Sequence, residues 1–214
     1  TTGATIGVAA ADYSGDGRLD LFLGRWASNG FISQLFQGQS EGSFVDRTVG
    51  AFDDISLRFT FTPNFEDFDG DGQLDLLIAA DFGQSKVLKN QDGLFTDITD
   101  PLVITDENGM GAAVADYDND GDLDLIVNNI NEVASLYRNT TAESASKTKQ
   151  SYLKVIPLGK GKNTFGIGAK LFAYAGGKVF YQENFVARGF QSSVSPWVHF
   201  GLGEIKTLDS LRVV

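Results

Sequence analysis

The chain has 214 residues, 42% hydrophobic and 12% aromatic, with a net charge of −11. That is enough for one large domain, or a mid-sized domain plus a small one, and it excludes wholesale disorder. With no cysteine and a single histidine, His199, disulfides, thiolate sites, multi-histidine metal sites and cysteine nucleophiles are excluded, and little remains for acid–base catalysis near neutral pH.

The charge is uneven along the chain. Residues 1–140 hold 24 Asp and Glu against 7 Lys and Arg, a balance of −17, and residues 141–214 hold 4 against 10, a balance of +6. Such a break marks two units with different jobs, and nucleic acid is a poor partner for the acidic one. No apolar run approaches the ~18 residues of a membrane span, and the first residues, T-T-G-A-T-I-G, do not read as a signal peptide.

In chain order, the first elements are repeats. A-D-Y-S-G-D-G-R-L-D-L-F-L, E-D-F-D-G-D-G-Q-L-D-L-L-I and A-D-Y-D-N-D-G-D-L-D-L-I-V align without gaps, their first aspartates 55 and then 49 residues apart. A second shared signal follows, L-F-Q-G-Q-S-E-G-S-F-V-D-R-T after the first copy and L-K-N-Q-D-G-L-F-T-D-I-T after the second. The third copy starts it with L-Y-R-N and then drifts, so the array ends there. An apolar approach such as Ala112–Ala115 enters each loop and a run such as Leu125–Val127 leaves it, too short for helices and bounded by turn residues. A repeat of about 50 residues with several short strands has the size of a propeller blade. A β-sandwich with acidic turns is the alternative architecture.

Residues 140–150, rich in Ser, Thr, Ala and Lys, read as a linker between a repeat region, 1–139, and a small unit, 151–214. That unit alternates again: L-K-V-I, A-K-L-F-A-Y, a turn at Gly176-Gly177, K-V-F-Y-Q-E-N-F-V, W-V-H-F and L-R-V-V. The paired glycines tolerate positive φ and predict a hairpin. The fold class is therefore all-β: partial propeller-like blades plus a small C-terminal all-β domain.

Each loop has the form D-x-(D/S)-x-D-G-x-x-D-L. Positions 1, 3, 5 and 9 carry Asp12, Ser14, Asp16 and Asp20 in the first loop, Asp67, Asp69, Asp71 and Asp75 in the second, and Asp116, Asp118, Asp120 and Asp124 in the third. Oxygen donors at alternate positions wrap a hard cation that takes six to eight oxygens at about 2.3–2.6 Å. The glycine at position 6 (Gly17, Gly72, Gly121) permits the turn that returns position 9 to the ion. Position 7, which is Arg18, Gln73 or Asp122, would offer its backbone carbonyl, which explains its varied side chains. Without an ion the clustered carboxylates repel, so the loops argue for Ca²⁺, about three ions in all, over the more hydrated Mg²⁺. An EF-hand needs Glu at position 12 and flanking helices; here position 12 is Leu23, Ile78 or Val127 and the flanks are strands. Ser14 makes the first site the weakest by charge count.

These loops resemble the FG-GAP or VCBS repeats of integrin-α-like β-propellers, and the tails Gly42–Thr48 and Gly93–Thr99 resemble VCBS repeats in particular. The C-terminal unit is similar to the ASPIC/UnbV domain through N-T-F-G-I-G-A-K, A-G-G-K and G-F-Q-S-S-V-S-P-W-V-H-F-G-L-G followed by L-D-S-L-R-V. Together the resemblance covers nearly the whole chain and points to the C-terminal part of the cartilage acidic protein family. It implies a secreted or cell-surface calcium-binding protein with roles in adhesion or matrix, and no catalytic residues. Such propellers close with seven blades and this chain supplies fewer than three, so it reads as part of a longer protein.

Asp and Glu pairs could serve glycoside hydrolysis, but no acid pair with an aromatic, sugar-binding context stands out. No G-x-S-x-G, glycine-rich phosphate loop or H-E-x-x-H occurs. His199 reads as a packed strand residue, and Trp26 and Trp197 as core or interface anchors. Asn139-Thr140-Thr141 matches an N-glycosylation triplet, read as a chance match. The expectation is a calcium-stabilised adhesion or interaction module that meets a protein or glycan surface, with no membrane span. The alternative is a structural subunit whose copies assemble into an extracellular fibre or surface layer.

Overall fold

The computed structural model describes residues 4–26, 32–52, 57, 59–100, 104, 108–141, 143 and 150–214. The fold is all-β. β1 (Ala4–Ala11), β2 (Asp20–Trp26), β3 (Gln34–Gly38) and β4 (Phe44–Asp46) form one antiparallel sheet in sequence order. β5 (Thr60–Glu66), β6 (Asp75–Ala80), β7 (Lys86–Gln91) and β8 (Leu94–Asp97) repeat that order. β9 (Gly109–Ala115), β10 (Asp124–Asn129) and β11 (Ser135–Tyr137) make a third, three-stranded sheet. The G-x-F-x-D tails supply β4 and β8, and the third copy, whose tail drifts, has no fourth strand among the described residues. Most of the 140–150 segment, read above as a linker, lies outside the described residues.

The loops occupy one place in every sheet. They join the first strand to the second, where Ala11 pairs with Asp20, Glu66 with Asp75 and Ala115 with Asp124. The register of the apolar residues beyond the loop then decides how the sheets stack. All six residues of β6 are buried. Because side chains alternate across a strand, Leu76, Ile78 and Ala80 join Phe22, Leu35, Phe65 and Leu88 in a core between the first two sheets. Leu77 and Ala79 meet Val114, Leu123, Leu125 and Val127 in a second core on the other face. A continuous apolar run here means a strand covered on both sides, not a helix.

Residues beyond 150 form β12 (Ser151–Val155), β13 (Lys170–Ala175), β14 (Lys178–Glu183), β15 (Val198–Gly203) and β16 (Ser210–Val213). β12 pairs with β15, and β13 lies between β14 and β16. The expected hairpin is present, with Ala175 opposite Lys178 and Gly176 and Gly177 at φ of 56° and 78°. Leu171, Ala173, Ala175, Val198, Phe200 and Leu202 build a third core. A segment from this region reaches between the first strands of the second and third sheets. Thr62 Oγ1 donates to Met110 O (2.7 Å) and to Phe190 O (3.3 Å), and the Ala112 N–H donates to Ser192 Oγ (3.1 Å).

Trp197 packs on the second core beneath the Lys154 ammonium, 3.9 Å from the ring, as an interface anchor. Trp26 lies at the strand ends remote from the loops, 41% exposed against Phe59, so it is not a core residue. Leu77→Ala opens the core between the second and third sheets and is expected to cost about 2–5 kcal/mol in urea unfolding. Ile126→Ala, on the exposed side of β10, is expected to cost far less.

Candidate metal centre

The loop begins with position 1 at the end of one strand and closes with position 9 as the first residue of the next. Two left-handed residues make the turn. Position 6 is the expected glycine, at φ of 82°, 91° and 99° in Gly17, Gly72 and Gly121. Position 4 is left-handed too, as Gly15, Gly70 and Asn119 at 69°, 73° and 62°. Asn is the non-glycine residue that tolerates this region best, hence D-N-D in the third copy. This turn points successive N–H groups inward: Asp16 N and Gly17 N donate to the Asp12 carboxylate (3.0 and 2.7 Å), and Asp71 N and Gly72 N to that of Asp67 (3.1 and 2.8 Å). The N–H of position 7, a different group from the carbonyl expected to face the ion, donates to position 5: Arg18 to Asp16, Gln73 to Asp71 and Asp122 to Asp120, at 3.0, 2.9 and 2.9 Å.

Position 9 has a second role that its spacing did not reveal. Asp20, Asp75 and Asp124 are 0%, 0% and 2% exposed. One oxygen of each accepts a backbone N–H of its own loop: that of Ser14, at position 3, in the first copy (3.1 Å), and those of Phe68 and Tyr117, at position 2, in the second and third (3.1 Å each). The other accepts the N–H of a residue at the end of the third strand, Gly38 or Asn90, or in the third sheet just past it, Asn139, each at 2.8 Å. Charge-assisted bonds of this kind are the stronger class. One buried carboxylate thus ties loop and third strand together in every sheet.

The third-strand asparagines extend the tie between sheets. Asn90 Nδ2 donates to Leu74 O of its own loop (3.0 Å) and to Tyr13 O of the loop before (2.9 Å). Asn139 Nδ2 does the same with Leu123 O (3.2 Å) and Phe68 O (2.7 Å). The recurring K-N and R-N dipeptides were the available signal, but nothing local says where an amide will reach. The same bonds engage the nitrogen of the glycosylation triplet.

The electrostatics follow from burial. Asp12 is pushed up to about 6 and Asp75 to about 7, in both cases first by desolvation and then by neighbouring carboxylates, with backbone donors pulling the other way. Desolvation also raises Asp20 and Asp124, and it raises Asp67 strongly with Asp75 as the next cause. Candidate ligand oxygens of Asp67, Asp69 and Asp71 lie within 4.8 Å of one another, as do those of Asp116, Asp118 and Asp120. Among the described residues the first loop, with Ser14 at position 3, forms no such group of three acids. Protein cations lean on the outer acids: Arg18 on Asp16, Lys89 on Asp69 and on Asp71 (3.0 Å), and Arg138 on Asp118 (2.6 Å). Gln37 takes the equivalent place in the first sheet, with Nε2 3.2 Å from Asp16 Oδ2.

The donor set fits a hard divalent cation. It is all oxygen, carries three or four carboxylates per loop, and includes Asp116 Oδ1, which is buried without a hydrogen-bond partner. Asp12, Asp16, Asp20 and Ser14 would hold an ion in the first loop, Asp67, Asp69, Asp71 and Asp75 in the second, and Asp116, Asp118, Asp120 and Asp124 in the third. The ion would neutralise carboxylates that the fold buries together. His199 is a packed strand residue: burial lowers its pKa, and Nε2–H donates to Gly121 O at 3.1 Å.

The FG-GAP-like repeat family matches residues 12–78 and 67–127. The chain belongs to that family. The ASPIC and UnbV family matches residues 159–214 of this FG-GAP-repeat protein. Cartilage acidic protein 1 of Xenopus tropicalis is 29% identical over 213 residues, covering 92% of this chain and 32% of the relative. The proteins of the same name in Mus musculus and Homo sapiens are 27% and 26% identical, again over 92% of this chain and 31% of the relative. The chain therefore spans about a third of the length of these relatives.

Two outcomes are expected. In a chelator, carboxyl groups raised by folding bind more protons in the folded than in the unfolded state between pH ~4 and ~7. Their contribution to stability is present at low pH and lost as pH rises through about 6 for Asp12 and about 7 for Asp75. Melting scans in EDTA should therefore give a falling Tm from pH 5 to pH 8; a rising Tm would contradict this. Asn139→Ala leaves two carbonyls unpaired and should cost about 1–3 kcal/mol by chemical unfolding.

Proposed function

We propose that the chain is a calcium-stabilised extracellular binding module without catalytic activity. The observation that carries this reading is the threefold loop, in which buried carboxylates raised by desolvation converge with no chemistry to perform except holding a cation. Extracellular calcium is near-millimolar, so even sites with Kd of about 10⁻⁴–10⁻³ M would be filled there. Relatives named for cartilage support a secreted or cell-surface setting, and the partner proposed for such a module is a protein or glycan surface. Among the described residues, no helix is long and apolar enough to cross a membrane. The carboxylates with raised pKa serve the loops or, as with Glu66 facing Arg188 at 3.9 Å, an internal ion pair.

A second reading, self-assembly into a fibre or surface layer, draws on β11. Among the described residues it pairs with β10 alone, whereas β3 and β7 each have two neighbours. An open edge invites another strand, and the −17 and +6 balances of the two regions favour head-to-tail contact. Sedimentation in calcium separates the two readings: a monomer at high concentration removes the second.

The first reading is tested by isothermal titration with Ca²⁺ and by melting with and without EGTA. Heat corresponding to about three ions and a Tm raised by calcium are expected, because a ligand that binds the folded state stabilises it. No heat and an unchanged Tm would overturn it.

A further inference from the structure

The three loops differ in what lies against them. A Cβ built at Gly15 or Gly17 of the first loop would meet nothing within 4 Å. That loop faces the C-terminal sheets across a small cavity lined by Asp12, Gly15, Val179 and Tyr181. In the second loop, a Cβ at Gly72 would lie 2.6 Å from the Phe180 ring, and in the third, a Cβ at Gly121 would lie 2.3 Å from the Tyr152 ring. The position-6 turns of the second and third loops are thus each roofed by an aromatic ring, one from β14 and one from β12.

β15 runs across the same two loops. Gly203 N donates to Gly70 O at 2.8 Å, and His199 Nε2–H to Gly121 O at 3.1 Å. His199 also stacks on Tyr152 with 5.3 Å between ring centroids. A methyl at Gly201 would lie 1.7 Å from Asp67 Oδ2, so only a glycine lets the strand lie this close to a candidate ligand. What β15 touches is therefore loop backbone at positions 4 and 6, in the left-handed conformation that closes the loop.

We propose that β12, β14 and β15 form a latch on the second and third loops, so that cation occupancy of those loops and seating of the latch stabilise each other. Tyr152, Phe180 and His199 are positioning residues for ions they do not touch. The inference rests on the calcium reading above. A bound cation holds the left-handed turn against carboxylate repulsion and so preserves the surface that β15 packs on. Removing it lets the loop open and the surface is lost. The coupling is reciprocal, since a seated latch lowers the cost of ordering the loop for its ion. The first loop, with no ring on its turn, stands outside the coupling.

The test uses the full chain. Hydrogen–deuterium exchange of residues 198–203 should slow about tenfold in calcium relative to EGTA, a typical size for such coupling. In calcium titration, Tyr152→Ala and Phe180→Ala should each weaken one ion by about tenfold, and Tyr152→Phe should restore the wild-type value. Asp12→Asn should remove the first-loop ion yet leave β15 protection unaltered, whereas Asp120→Asn should expose it. Should either alanine variant fail to fold, the wild-type exchange comparison still decides. Three ions bound with identical β15 exchange in calcium and EGTA would overturn the latch, as would Tyr152→Ala with wild-type affinities. Binding of no ion at all would sink the calcium reading itself, and the latch with it.

Discussion

The architecture depends on one arrangement repeated three times: a fully buried aspartate at the start of a sheet's second strand. Asp20, Asp75 and Asp124 each accept one backbone N–H from their own loop and one from the end of the third strand or just past it. A carboxylate offers a separate oxygen to each donor, whereas an amide of its size has a single acceptor oxygen. The loop, the second strand and the third strand are therefore locked before any side-chain packing is considered. Asn90 and Asn139 carry the lock from one sheet to the next, so the stack is held at its loop end by polar bonds and further in by β6, buried on both faces.

The same arrangement creates the tension that a bound cation would resolve. Burying position 9 beside positions 1, 3 and 5 places several acids in one desolvated pocket, and desolvation is the leading cause of each raised pKa. Backbone donors offset part of the cost, and Lys89 and Arg138 offset more from outside. Neither supplies a charge at the centre of the loop. An oxygen-only cluster with an unpartnered buried oxygen, Asp116 Oδ1, is a donor set that a hard cation would complete.

Local features were legible in the sequence. The in-register Asp loops gave the repeat and its length, the apolar runs gave strands, Gly176-Gly177 gave the β13–β14 hairpin, and the drift after L-Y-R-N marked the copy that has no fourth strand among the described residues. Long-range features were not. An aspartate at ligand spacing reads as a ligand, and nothing local says that its oxygens also hold the third strand. The asparagine staples reach a loop 71 or 77 residues away. The pairing of β12 with β15 and the seating of both on two of the three loops depend on tertiary packing that leaves no periodic trace. Gly201 looks like any strand glycine until Asp67 is found beside it.

The central claim is that the buried carboxylates of the loops exist to hold cations. Anomalous diffraction from crystals grown in calcium tests it most directly. The account predicts a peak in each of the three loops, with aspartate oxygens at about 2.3–2.6 Å. Loops that keep this conformation in near-millimolar calcium without any peak would contradict it.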